Sequence, residues 1–244
     1  TGAMTIEAWF KHPAVDVAWP AVIASKAGPG GASWVLDLSS VDGNLEFIAF
    51  GGNGASPSGA LTAQNLNDGL WHHAAGVWDG SEPRLYIDGA LAATGPTTTG
   101  PLFDTTASVA IGNDAALAAA TAFAGEIDEV RIWDVARSVA EIGATMSTTL
   151  VGDETNLVGY WNFDDGTADD VTVSGSHGTV GGGAVIAASD TPLSGGGGGA
   201  AGDNSILLDG VDDHVTMAGD PAALKLTGAM TIEAWFKHPA VDVA

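Results

Sequence analysis

The chain has 244 residues, with 30 acidic against 7 basic side chains, a formal net charge of -23 and no cysteine. This balance excludes a nucleic-acid binder, because few cations are available to neutralise phosphates, and it argues against adhesion to anionic lipid. The lack of cysteine excludes disulfides, thiolate metal sites and a thiol nucleophile. No apolar run is long enough to span a bilayer, so we expect no membrane insertion within this sequence. The carboxylates serve either solubility or the binding of divalent cations, which take oxygen ligands.

Short apolar runs that alternate with polar residues, separated by Gly, Asn, Asp and Pro, predict β-strands along most of the chain. In chain order, the predicted strands are residues 4–10, 21–25, 34–38, 45–50, 72–78, 84–87, 108–111, 126–133 and 157–163. One short helix is predicted to begin at Ser138, because Ser138 and Glu141 have the spacing of a capping box. Many short strands joined by Asp-Gly turns predict an all-β sandwich.

The first 18 residues return unchanged as the last 18, since residues 1–18 and 227–244 are identical, and the period is 226 residues. Such a period is long enough for each unit to be a complete domain, so the sequence indicates a tandem array. Five successive glycines predict a flexible linker over residues 193–202. We therefore predict a repeat body over 1–192 that lacks its opening strands, and the opening strands of the next repeat over 203–244. The alternative is that residues 203–244 fold back onto, or lie beside, residues 1–192.

Several segments carry a resemblance to a known family, and the most specific are SILLDGVDDHVTM, MTIEAWFK, LNDGLWHHAAGVWDGSEPRLYIDGALAATG and FAGEIDEVRIWDVARSVAEI. In this order they resemble the laminin-G-like, concanavalin A-like jelly-roll domains, the pentraxin relatives included. The resemblance implies a jelly-roll β-sandwich of two antiparallel sheets with one short helix. It also implies a non-catalytic extracellular module that binds glycans or proteins or builds scaffolds. The strand order of the family favours assigning residues 203–244 to the next repeat.

The resemblance further implies a structural calcium ion, because in laminin-G-like relatives calcium often ties the opening strands to a late strand. The residues of this sequence that resemble such ligands are Asp128, Asp209 and Asp213. A hard cation needs several oxygen ligands, some of them from backbone carbonyls and water. We therefore expect calcium as the cofactor of these three aspartates.

Three further residues near these segments are candidate oxygen donors, namely Asp212, Asn113 and Asp114. The alternative for the whole group is a polar turn at Asp209-Gly210 with exposed carboxylates, because Asp is a common turn residue. A pentraxin-type calcium site that bridges to a ligand is not expected, since residues 26–33 carry no acid or amide.

Residues 126–130 invite comparison with a catalytic motif. Laminarinase-type glycoside hydrolases share the jelly-roll architecture and use a strand motif E-x-D-x-E, whose alternating carboxylates lie on one face. Glu126 and Asp128 match the first two positions, but the third is Val130, and Glu129 is expected on the opposite face. Because the acid/base partner is missing, we predict no catalytic residue and no enzymatic activity.

The eight tryptophans are mostly expected in the core, given how aromatic side chains bury. Trp19 and Trp34 have loop-rich surroundings in the sequence, so they are the candidates for stacking on a ligand. The alternating positions expected to line the space between two sheets are Trp71, Val77, Leu85, Ile87, Val130 and Ile132.

The unchanged repeat dominates the functional interpretation. The leading hypothesis is a non-enzymatic, extracellular, tandem-repeat structural protein that forms a fibre or adhesive stalk, with neighbouring copies of the same repeat as its partners. The alternative is a calcium-dependent carbohydrate-binding adhesin module, whose weak single sites become strong through multivalency. Under this alternative the partners are glycans.

Overall fold

The computed structural model describes residues 4–9, 20–39, 43–52, 54, 56–98, 100–193, 202–226 and 230–236, with the backbone alone at 4–9, 56 and 230–236. In this part of the chain the strands are β1 (Met4–Trp9), β2 (Ala21–Gly28), β3 (Gly31–Ser39), β4 (Asn44–Gly51), β5 (Ser56–Leu61), β6 (His72–Trp78), β7 (Pro83–Ile87), β8 (Ala90–Thr94), β9 (Ala110–Ile111), β10 (Ala124–Trp133), β11 (Leu157–Trp161), β12 (Gly178–Gly181), β13 (Val185–Ala188), β14 (Asn204–Asp209), β15 (His214–Met217) and β16 (Met230–Phe236). An α-helix, α1 (Val139–Thr145), follows β10, and short 3-10 turns lie at Ala119–Thr121 and Ala222–Leu224.

These strands form two sheets. The larger sheet has the order β13-β14-β10-β1-β16-β6-β7-β8, with β11 also paired to β10. The smaller sheet has the order β12-β15-β9-β2-β3-β4-β5. Apart from β1 and β16, which run parallel to each other, the paired strands are antiparallel. The predicted fold class is confirmed: the chain is an all-β jelly-roll sandwich with one short helix in the described residues.

The main core lies between the two sheets and follows from side-chain alternation along each strand. On β6, Ala74 and Trp78 belong to the main core, whereas Ala75 and Val77 belong to a separate apolar cluster beneath α1. The prediction that Val77 lines the space between the sheets is therefore wrong, because β6 is buried on both faces. The other predicted positions pack in or against the main core, namely Trp71, Leu85, Ile87, Val130 and Ile132.

Helix α1 covers the outer face of the larger sheet. Its first turn is held by a capping box, in which the Ser138 hydroxyl accepts from the Glu141 amide at 3.3 Å and the Glu141 carboxylate accepts from the Ser138 amide at 2.7 Å. The buried residue of the helix, Ile142, joins an apolar cluster with Ala75, Val77 and Tyr86. The predicted start of the helix at Ser138 is confirmed.

The segment that follows the glycine-rich stretch pairs with the body of this chain. Strand β14 lies between β10 and β13, and β15 lies between β9 and β12. The buried Lys26 of β2 adds an ion pair with Asp220, at 2.5 Å between Nζ and Oδ1. Within this chain, residues 203–226 therefore fold back onto the body, which is the second arrangement that the sequence left open. Their assignment to the next repeat in a longer array stays a prediction, and residues 194–201 of the predicted linker lie outside the described residues.

Candidate functional site

The hairpin between β14 and β15 brings three aspartates together. Carboxylate oxygens of Asp209, Asp212 and Asp213 lie within 4.8 Å of one another. The turn is tight because Gly210 has a φ of +80°, and a Cβ there would lie 2.6 Å from the Cβ of Ala124 on β10. The sequence spacing of the three acids, on either side of one hairpin turn, places all three carboxylates at one end of the hairpin.

One carboxylate oxygen of this cluster has no hydrogen-bond partner among the described residues. Asp213 is 3% exposed, its Oδ2 accepts from the Asp209 amide at 2.7 Å, and its Oδ1 is buried without a partner. Burial, together with the neighbouring carboxylates, raises the pKa of Asp213. A buried acceptor of this kind costs free energy unless something satisfies it. A calcium ion fits, because it takes carboxylate oxygens and Asp213, Asp209 and Asp212 could all bind it here.

An open cleft of about 390 Å³ adjoins the cluster at the edge of the larger sheet. Its floor is apolar, with Val185 56% and Leu207 37% exposed. Its rim carries the carboxylates of Glu126 and Asp209, and the buried Asp213 also lines it. The Glu126 carboxylate is oriented by the Ser205 hydroxyl, which donates to it at 3.0 Å. The cleft thus offers an apolar surface and hydrogen-bond acceptors side by side.

The third predicted calcium ligand, Asp128, lies elsewhere. In the pairing of β10 with β14, Ala124 lies opposite Asp209, and Asp128 is four residues further along β10, or roughly 13 Å away at the rise of a strand. Asp128 is fully buried, where its Oδ2 accepts from the Thr191 hydroxyl at 2.8 Å and its Oδ1 from the Glu129 amide at 2.7 Å. The structure therefore brings Asp209 and Asp213 together and separates Asp128 from them.

Asn113, another candidate calcium ligand, is held in hydrogen bonds within its own turn. The Asn113 side-chain oxygen accepts from the Thr121 hydroxyl at 2.6 Å and from the Asp114 amide at 2.8 Å. These bonds hold the short turn that precedes β10, so Asn113 has a structural role of its own. Asp212 is the only one of the additional candidates that joins the described acidic cluster.

Strict alternation fails in β10, at the segment that resembled a catalytic motif. Ile127 and Val130 both belong to the main core, although a spacing of three residues would place them on opposite faces of a regular strand. Glu129 has a φ of +53°, so an extra residue is accommodated there as a bulge. The buried Glu129 carboxylate forms an ion pair with Arg131 and accepts from the Tyr160 hydroxyl at 2.7 Å. Neither this carboxylate nor that of Asp128 faces the cleft.

The two predicted stacking residues have different outcomes. Trp34 is 0% exposed and lies in the main core on β3, so it cannot stack on a ligand in the folded protein. The prediction for Trp34 is wrong because its ring lies on the core-facing side of β3, the strand that was predicted over 34–38, and not at the surface beside the neighbouring loops. Trp19 lies outside the described residues.

The two antiparallel sheets define a concanavalin A-like jelly-roll module. The family model described as the Concanavalin A-like lectin/glucanases superfamily matches residues 1–143, which is more than half of the chain. The chain belongs to this superfamily, and the resemblance stated from its sequence motifs is confirmed.

One solved structure similar to this chain is a protein from Bacteroides ovatus ATCC 8483, provisionally described as a carbohydrate binding protein. The TM-score is 0.51 and the sequence identity is 17%, so the likeness is one of fold. It covers 91% of this chain and 56% of that chain, and this chain therefore spans little more than half of that protein's length. No curated protein matches the chain. Among the described residues, no helix has the length and apolar character needed to cross a membrane.

Proposed function

We propose that this chain is a non-enzymatic carbohydrate-binding module of an extracellular protein, and that calcium at Asp209, Asp212 and Asp213 organises its binding cleft. The observation that carries the proposal is the buried Asp213 Oδ1, which has no hydrogen-bond partner in the described part of the chain and lies beside a cleft lined by apolar and acidic side chains. Membership of a lectin and glucanase superfamily supports the same class of ligand, as does the similar structure that is provisionally described as a carbohydrate binding protein. Repetition of the unit would raise the apparent affinity of a weak site through multivalency.

The chemistry of the cleft suits a sugar. A pyranose ring presents an apolar face of C–H groups, which can pack on Val185 and Leu207. Its hydroxyls can donate to the carboxylates of Glu126 and Asp209 at the rim. Bound calcium would supply positive charge to the acidic hairpin and fix the orientation of its carboxylates.

Two buried carboxylates support the non-enzymatic part of the proposal. Glycoside hydrolysis by a retaining mechanism needs two carboxyl groups about 5 Å apart on either side of the scissile bond. In this chain Asp128 is bonded to Thr191, and Glu129 is paired with Arg131 and Tyr160. A reducing-end assay on the glycans that bind should show no hydrolysis, and measurable turnover would overturn this part of the proposal.

Calcium is expected to raise the melting temperature of the protein. A ligand at a hundred times its Kd stabilises by about 2.7 kcal/mol, which in a domain of this size is roughly 5–10 °C. The variant Asp213→Asn should lose most of this shift, whereas Asp153→Asn, an exposed acid outside the cluster, should keep it. The measurement is thermal unfolding followed by circular dichroism, with calcium and with chelator. Equal melting temperatures in both conditions would contradict the calcium site.

Glycan binding is expected to depend on the apolar floor of the cleft. Leu207→Asp should abolish binding on a glycan array, because it places a charge where a sugar face would pack. The matched control is Leu91→Asp, since Leu91 is also exposed but lies on β8, at the opposite edge of the same sheet from β13 and β14. Binding by the Leu207 variant at the level of the parent would place the sugar site elsewhere.

A second candidate function is a structural fibre or stalk, and the observation that favours it is the unchanged 18-residue segment at a spacing of 226 residues. Identical junctions give one rotation and one rise at every step, which generates a filament. A compact unit of this length has an expected axial rise of about 45 Å. Electron microscopy of the native material tests this function, and randomly oriented beads would contradict it.

A further inference from the structure

Three neighbouring strands place two apolar side chains and a carboxylate in one row across the larger sheet. Val185 of β13 lies opposite Leu207 of β14, and Leu207 lies opposite Glu126 of β10. Residues directly opposite each other have their Cβ atoms about 5 Å apart on the same face of a sheet. The floor of the cleft is therefore a strip in which apolar surface borders directly on a carboxylate.

A second carboxylate flanks the same leucine. Asp209 follows Leu207 by two residues on β14, so it lies on the same face about 7 Å further along the strand. The burial of β14 agrees, because Ile206 and Leu208 are in the main core whereas Leu207 and Asp209 are exposed. Leu207 therefore has a carboxylate on two sides, one across the sheet and one along the strand.

Glu126 is held in position by a buried hydroxyl. Its Oε2 accepts from the Ser205 hydroxyl at 3.0 Å, and Ser205 is 0% exposed. An ionised carboxylate has about four acceptor sites on its two oxygens and no donor. Glu126 can therefore accept a further hydrogen bond from a ligand, but it cannot bind a ligand group that only accepts.

The buried carboxylate of Asp213 also calls for a donor or a cation. Its Oδ1 has no hydrogen-bond partner in the described part of the chain, and Asp213 lines the cleft. A Cβ at Gly183 would lie 3.3 Å from this oxygen, so the glycine leaves space beside it. The acidic character of the cleft thus extends from its rim to a buried acceptor.

The cleft carries negative charge that no described cation balances. None of the described lysines and arginines lines it, and each is bonded elsewhere, namely Lys26, Arg84, Arg131, Arg137 and Lys225. His214 follows Asp213 in the sequence, but its Nδ1 lies 2.7 Å from the carbonyl oxygen of Asp212, and His214 is outside the cleft lining. Bound calcium would add two positive charges against four carboxylates, those of Glu126 and of the three hairpin aspartates, so the cleft stays acidic.

We propose that the cleft selects glycans that carry an unacetylated amino group, and that Glu126 sets this selectivity. The inference rests on the proposed function, because it names the class of sugar that the same cleft takes. A protonated amine has three donors, and its hydrogen bonds to carboxylates are roughly twice as strong as those of a neutral hydroxyl. The C–H face of the same sugar packs on Leu207 and Val185 while the ammonium group reaches Glu126 or Asp209.

The same charges disfavour two other classes of glycan. A uronic acid or a sulfated sugar would bring a like charge to the carboxylates, and the net charge of -23 would repel it before contact. N-acetylation of an amino sugar removes its positive charge and leaves one N–H donor, so the acetylated form loses the charge-assisted bonds. The N-acetylated and unacetylated forms of one glycan therefore differ in the group that Glu126 recognises.

An array of matched glycans tests the selectivity. Each N-acetylhexosamine glycan is printed beside its chemically de-N-acetylated form, with neutral and acidic glycans on the same slide and calcium in the buffer. The de-N-acetylated form should reach half-saturation at a protein concentration about tenfold lower than its acetylated partner. Raising the salt from about 0.05 M to about 0.5 M should reduce this ratio, because salt screens exposed charges.

Substitution of Glu126 tests whether this carboxylate sets the ratio. Glu126→Gln keeps an acceptor for the Ser205 hydroxyl but removes the charge, so the ratio should fall from about tenfold to about twofold. The control Asp153→Asn has the same change in net charge outside the cleft and should keep the ratio of the parent. A ratio that is unchanged by Glu126→Gln would overturn the role of this residue.

Leu207→Asp separates the cleft from a general attraction between an acidic protein and a cationic sugar. This variant adds a negative charge but removes the apolar floor, so it should lose the de-N-acetylated glycans as well, whereas tighter binding would overturn the proposal. Equal binding of acetylated and de-N-acetylated forms by the parent, or a preference for acidic glycans, would overturn the selectivity and leave the proposed function intact. Absence of binding to every glycan on the array would overturn both.

Discussion

Asp37→Asn is expected to stabilise the protein at neutral pH by about 2–4 kcal/mol, because it removes the penalty of a buried carboxyl group. Asp37 lies on β3, is 4% exposed, and its Oδ1 has no hydrogen-bond partner among the described residues. Glu46 lies directly opposite on β4. Burial, and then the charge of Glu46, raise the pKa of Asp37 to about 8. The measurement is urea denaturation of the parent and the variant at about pH 7.

The pH dependence gives a sharper test of the same residue. An acid whose pKa is higher in the folded than in the unfolded protein binds more protons when folded, so the free energy of unfolding falls as the pH rises between the two values. For Asp37 this window runs from 3.8 to about 8. The parent should therefore lose more stability than Asp37→Asn as the pH rises from about 4.5 to about 8.5. The control Asp153→Asn should follow the parent, and identical pH profiles for the parent and Asp37→Asn would contradict the assignment.

The features that the sequence predicted are those fixed by local chemistry. The capping box of Ser138 and Glu141 needs only residues three apart, and the helix begins where that pattern predicts. Strand β4 has one face in the core, so its buried residues alternate and the strand can be recognised. The strands β12 and β13 were missed because each has only four residues, too few to show alternation, and β12 also begins and ends with glycine.

The features that the sequence did not predict depend on tertiary placement. Val77 and Trp34 lie in strands buried on both faces, where an apolar residue does not reveal which side it occupies. The separation of Asp128 from Asp209 follows from the pairing register of β10 with β14, which no local pattern contains. The bulge at Glu129 also arises in β10, and it interrupts the alternation from which the orientation of that carboxylate was predicted.

Arg131→Met is expected to destabilise the protein by about 3–5 kcal/mol, because it leaves the buried Glu129 carboxylate without its cation. Arg131 is 0% exposed, forms an ion pair with Glu129 and donates to the carbonyl oxygen of Thr145 at 3.0 Å. Its guanidinium lies 5.4 Å from the centre of the Tyr160 ring. These contacts join β10, β11 and the end of α1, so removing the Arg131 guanidinium is expected to destabilise the whole larger sheet.

The matched control for this substitution is Arg84→Met. Arg84 forms ion pairs with Asp79 and Glu82, but its side chain is 30% exposed. Because solvent screens such pairs, Arg84→Met should lower the free energy of unfolding by less than about 1 kcal/mol. The double variant Glu129→Gln with Arg131→Met should recover part of the stability lost in Arg131→Met, because no unpaired charge remains buried. A double variant as unstable as the sum of the two single variants would show that the ion pair itself does not account for the loss.

Acid pH should reduce the loss of stability caused by Arg131→Met. In the parent, burial raises the pKa of Glu129 to about 7, while Arg131 and the Tyr160 hydroxyl lower it from what burial alone would give. Removal of the guanidinium therefore raises this pKa further, and the folded variant takes up a proton at Glu129 more readily than the parent. Its deficit in the free energy of unfolding should be smaller at about pH 5 than at about pH 8.5, because a protonated carboxyl group can stay buried without a cation. A deficit that is equal at both pH values would place the loss in packing against Tyr160 and in the bonds to the end of α1.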